Sequence, residues 1–123
     1  MLKGDYKHLA KENENFRKVL YTGKNSQVVL MSIKPGEEIG EETHPTIDQI
    51  FIMVDGDEEV EVIIDGVPSW MDEHGILFVP AGTRHNILNK GNESLKLLSI
   101  YSPPAHEDGI VHRTKEDAIE QGN

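Results

Sequence analysis

Two histidines and one carboxylate are the residues of this 123-residue chain whose types and spacing could do chemistry. Neutral imidazole is the commonest metal ligand near pH 7, and the chain has six histidines and no cysteine. His44 follows Glu42 by two residues. In an extended segment, side chains at i and i+2 project to the same side, so both can aim into one cavity. His85 follows the turn-forming run Pro80-Ala81-Gly82-Thr83-Arg84 and begins a strand on which Ile87 and Asn89 share its face. Glu42, His44 and His85 make a two-histidine, one-carboxylate set that leaves coordination positions free. Such a set suits non-haem Fe(II), with Mn, Ni or Zn as alternative divalent ions.

Other chemistries are excluded or left open by the same inspection. There is no Gly-rich phosphate loop, no Gly-x-Ser-x-Gly elbow and no Cys/His nucleophile pair. His8 and His74 read as surface residues. His106 and His112 lie in PPAHEDGIVH, where Pro103-Pro104 forces an extended exit. That segment folds across the barrel mouth as a lid bearing an acid or base, or else it is a solvated tail. The 22 acidic against 12 basic residues leave a formal charge of −10 with no basic block, which makes nucleic acid and anionic membrane poor partners. The N-terminal MLKGDYKHLAKENENF has no apolar core, and the longest apolar run, Ile50 to Val54, is far too short to span a bilayer. The expectation is a soluble, cytoplasmic protein of one domain.

The elements that must position these residues are short strands. Runs at 16–22, 27–33, 48–54, 59–64, 67–71, 76–79, 85–89 and 95–101 are cut by Gly, Pro, Asn and Asp, the pattern of an all-β sandwich or barrel. Asp65-Gly66, between VEVII and VPSWM, supplies the positive φ that a tight hairpin needs. QVVLMSI and QIFIMV are apolar at consecutive positions, so both of their faces require cover. An exposed Ile50/Ile52/Val54 stripe would be a liability, and a homodimer is the expected cover, with the chain's own termini as the other option. Thr114-x-x-Asp117 followed by AIE reads as the start of a short C-terminal helix outside the barrel, with Thr114 as N-cap.

The spacing Pro80-x-Gly82-x2-His85-x3-Asn89 resembles the second motif of the cupin superfamily, with His74 where that motif's leading glycine stands and Gly75 just after it. With Gly56 as the closing glycine of the first motif, Gln49 takes the place of its glutamate, His44 its second histidine and Glu42 its first. The resemblance covers about residues 34–101. It implies a single-domain jelly-roll β-barrel over about 16–101, with 102–123 as tail and helix. It also implies one divalent transition metal on Glu42, His44, Gln49 and His85. Gln49 could equally hydrogen-bond a substrate or the Glu42 carboxylate. Phe51, Met53 and Ile87 would pack the barrel and line a substrate cavity.

The function implied is metal-dependent chemistry on a small organic molecule, of dioxygenase, lyase or isomerase type. The alternative is a non-catalytic cupin that captures a small ligand. A sugar-phosphate isomerase is less favoured, because the chain is acidic and no convergent Arg/Lys pair shows at cavity-facing positions.

Overall fold

The structure, a computed structural model, describes residues 1–121. Helix α1 (Tyr6–Glu12) leads into strands β1 (Arg17–Thr22), β2 (Gln27–Ile33), β3 (Asp48–Asp55), β4 (Val60–Ile64), β5 (Val67–Trp70), β6 (Ile76–Val79), β7 (His85–Asn89), β8 (Leu95–Ser102) and β9 (Val111–His112), and α2 (Lys115–Glu120) closes the described chain. A six-stranded sheet in the order β6-β3-β8-β2-β1-β9 faces a three-stranded sheet, β5-β4-β7. The pairings are antiparallel throughout. This is the all-β jelly roll with a short C-terminal helix that the strand pattern and the motif imply.

Local chemistry sets the connections. Asp65 (φ 50°) and Gly66 (φ 81°) both adopt the left-handed region, which gives the two-residue turn between β4 and β5 the twist of its strands. At Gly56 (φ 135°) a Cβ would sit 3.3 Å from the Leu95 backbone, so the end of β3 can pass close to β8 only with glycine there. Between the sheets lies one apolar cluster containing Val19, Val29, Phe51, Val62, Ile87 and Leu97. Each fully buried large side chain contributes about 1.5–3 kcal/mol.

The ends of the chain depart from expectation. The N-terminal segment forms α1, capped by the Asp5 carboxylate, which accepts from the Lys7 and His8 N–H groups. The helix buries Ala10 against Leu30 and Leu98 on the outer face of the large sheet, so one terminus supplies part of the cover that β2 and β3 require. With a single small residue buried over seven positions, it carries no apolar periodicity for sequence reading to find. After β8 the chain is not a solvated tail. β9 pairs with β1, Ala105 and Ile110 pack on the core, and Ala118 of α2 is itself a core residue at 1% exposure. Thr114 caps α2 by accepting from Asp117 N–H. The helix therefore packs onto the barrel rather than standing apart from it.

Candidate metal centre

Glu42 and His44 lie in the segment that leads into β3, and a β-bridge joins Glu42 to His85 at the start of β7. Both backbone bonds of that bridge, Glu42 N–H to His85 C=O and the reverse, measure 2.9 Å. The loop before His85 is held from two sides. Gly82 N–H donates to His44 C=O at 2.8 Å, and Ala81 N–H donates to the Asp48 carboxylate at 2.9 Å. Gly82 makes its bond at φ 84°, a conformation few other residues adopt cheaply. The Pro-x-Gly spacing thus acts mechanically: it folds the loop so that two strand-edge segments meet.

Ligand atoms of Glu42, His44 and His85 all lie within 4.8 Å of one another. Glu42 Oε2 is 3.2 Å from His44 Nε2 and 3.8 Å from His85 Nε2. Donors bonded at about 2.1 Å to a single ion stand roughly 3.0–4.2 Å apart, so these separations fit one cation. His85 is 2% exposed, and its Nδ1 lies 3.0 Å from Thr83 C=O. A carbonyl can only accept, so Nδ1 carries the proton and Nε2 presents its lone pair to the interior. Nε2 has no hydrogen-bond partner. An outer hydrogen bond of this kind is what fixes the tautomer of a metal-binding histidine. Burial pushes the Glu42 pKa up, but the His44 hydrogen bond and the Arg17 charge, joined by the imidazoles of His44 and His85 when they are protonated, outweigh it, so the carboxyl is held below its ordinary value.

The other sequence candidates fall in different places. Gln49 is 1% exposed. Its amide donates to Ser99 Oγ at 3.0 Å while its carbonyl oxygen is buried without a partner. Phe51 and Ile87 are at 0% exposure and Met53 at 7%, all within the core cluster, and the Phe51 ring centroid lies 5.9 Å from that of His85. His106 is half-buried, edge-on to Tyr101 at 5.1 Å. His112 does not sit on a lid. It is fully buried on β9, with Nδ1 3.3 Å from Arg17 and Nε2 3.2 Å from Gln121, because the pairing of β9 with β1 carries it under the sheet. His8 and His74 are exposed.

Two residues near the triad were missed by sequence reading. Tyr101 is 1% exposed and meets His44 edge-on at 5.9 Å. Burial first, and the Glu42 charge second, push its hydroxyl pKa up to about 12, so it stays protonated. Arg17 is also 1% exposed. The guanidinium packs 5.3 Å over the Phe16 ring and reaches the Tyr101 hydroxyl and His112. Arg17 thus places a single guanidinium near the triad, which is still not the convergent Arg/Lys pair whose absence the sequence suggested. Its signal was the phase it shares with inward-facing Val19 on β1.

Comparison with known proteins agrees with the fold. The family profile described as "Cupin domain" matches residues 29–101. An uncharacterised protein, YrkC, of Bacillus subtilis is 46% identical over 89% of this chain and 61% of its own length. The tetracenomycin polyketide synthase protein TcmJ of Streptomyces glaucescens is 33% identical over 67% of this chain and 54% of that protein. The chain spans about three fifths of the length of two curated relatives that it matches, YrkC and a mimivirus protein, L612. Among solved structures, a Bacillus halodurans protein superposes with a TM-score of 0.89 at 38% identity, covering 97% of this chain and 93% of that one.

Proposed function

The chain belongs to the cupin domain family, and from that premise we propose that it holds one divalent transition metal on Glu42, His44 and His85, with Gln49 as a fourth donor, and acts on a small organic molecule inside the barrel. The observation that carries this reading is the convergence of two imidazoles and an ionised carboxylate around a buried, unpartnered His85 Nε2. The partnerless Gln49 oxygen supports the fourth position. A bound divalent ion would supply Lewis-acid polarisation of a substrate oxygen, or one-electron chemistry if it were iron. The chain's own residues do the rest. Thr83 C=O orients His85, Tyr101 keeps its proton and can donate it in a hydrogen bond to a developing negative oxygen, and Phe51 and Ile87 keep water from the inner side of the site.

Elemental analysis of protein purified without added metal tests this. The wild type is expected to carry a divalent transition metal and His85→Ala to lose it while keeping its β-rich circular dichroism; metal retained by the variant would overturn the ligand assignment. Oxygen uptake by Fe(II)-loaded protein across enolisable acids and phenols then asks for turnover, and a flat panel with ligand-dependent thermal shifts would assign a binding role instead.

The same reading includes a homodimer. Ile76 and Phe78 on edge strand β6 are 69% and 55% exposed beside half-buried Ile50 and Ile52, an apolar strip that α1 leaves open. Light scattering of the wild type and Phe78→Glu checks it: a dimer is expected for the first, a monomer for the second.

A further inference from the structure

His85 Nε2, Gln49 Oε1 and Arg17 Nε are buried polar atoms without a hydrogen-bond partner, and they differ in sign. The first two present lone pairs, which a cation satisfies. The third is an N–H on a permanent cation and needs an acceptor. Among the described residues, no carboxylate lies within ion-pair distance of Arg17. Its contacts are the Phe16 ring, the Tyr101 hydroxyl and His112 Nδ1, none of which offsets its charge. A buried charge normally stands opposite another. Lys96, the other buried cation, illustrates this: its ammonium bonds Asn13 C=O and Ser32 Oγ and lies 3.4 Å from the Glu14 carboxylate. Glu42 couples to Arg17 through space, but its Oε2 is taken up by His44 and His85. A divalent ion on the triad would leave the interior with still more uncompensated positive charge.

We propose that Arg17 is the anion-binding residue of this interior and that the molecule acted on is a small organic acid, its carboxylate against the Arg17 guanidinium and its other end toward Glu42, His44 and His85. The inference rests on the metal-centre reading for the second contact and on Arg17 alone for the first. A planar guanidinium matches a carboxylate through paired N–H donors. Among the described residues no Lys or second Arg pairs with the same partners, so it suits a singly charged head better than a phosphate dianion.

Calorimetric titration of Mn(II)-loaded wild type with malonate and benzoate, each against its uncharged amide, tests this. The acids are expected to bind at least about tenfold more tightly than the amides. Arg17→Met, which keeps the length and removes the charge, is expected to abolish that preference with metal content unchanged. Should the variant not fold, the wild-type comparison decides alone. Equal binding of acid and amide by the wild type overturns the proposal, as does a preference that survives in a folded Arg17→Met or inorganic phosphate binding more tightly than either acid. An acid preference that depends on Arg17 in protein that takes up no metal would support the anion site while overturning the metal-centre reading.

Discussion

Gln27 and Gln49 form a natural control for each other. They stand on opposite sides of Tyr101 in one row of the large sheet, Gln27 paired with Tyr101 from β2 and Gln49 from β3, and both are at or below 1% exposure. The Gln27 amide donates to Thr22 Oγ1 at 2.9 Å and His106 C=O at 2.7 Å, while its oxygen accepts from the Ala105 and His106 N–H groups at 3.1 and 3.0 Å. Every bond an amide can make is made. Gln49 makes one, and its oxygen is orphaned. The same side chain in the same row thus serves two ends. On one side a closed set of bonds staples the segment after β8 to the barrel. On the other an open valence is left next to Tyr101, which contacts His44. A polar core residue that serves only the fold is satisfied by the fold, and open hydrogen-bonding capacity gathers where a ligand belongs.

Substitutions can sharpen or break that contrast. Gln27→Leu strands the Ala105 and His106 backbone groups and is expected to cost about 3 kcal/mol in urea unfolding, with metal content unchanged; a loss under 1 kcal/mol would show that the staple is not needed. Gln49→Leu is expected to weaken metal binding about tenfold, read by competition with a chromophoric chelator; an unchanged affinity would remove Gln49 from the ligand set.

The third expectation concerns pH. Burial first, and the Arg17 charge second, lower the His112 pKa, against smaller opposing effects of Gln121 and Asp117. A base whose folded pKa lies below its unfolded value takes up more protons when unfolded, so stability falls as pH drops below about 6.5, by at most about 1.4 kcal/mol per unit from this group. Chemical denaturation between pH 7.5 and 5.5 should show that decline in the wild type and a shallower one in His112→Gln; equal slopes would contradict it. The smallest effect is on Gln49→Leu stability itself, expected to stay within about 1 kcal/mol of wild type because no fully bonded group is stranded.

What sequence reading could and could not see follows from the range of the interactions. Asp65-Gly66 and Thr114 act on their own backbones, and both stand where local rules put them. Glu42 and His44 are two residues apart, and the Pro80–Asn89 spacing encodes one loop and one strand, so the triad was accessible. Arg17, Tyr101 and Gln27 matter only through the register of β1, β2, β3, β8 and β9, which join residues as far apart as 17 and 112. No local pattern carries that register. The segment after β8 was misread for the same reason, since the side chain that holds it lies 79 residues upstream of His106.

Cobalt titration followed in the visible region tests the central claim most directly, because Co(II) bound to nitrogen and oxygen donors in a protein site gives ligand-field bands distinct from the hydrated ion. The wild type and Gln27→Leu are expected to saturate at a single equivalent, and His44→Ala and His85→Ala to show only the hydrated ion. A wild type without a saturable signal, or one matched by His85→Ala, would contradict a metal centre on Glu42, His44 and His85.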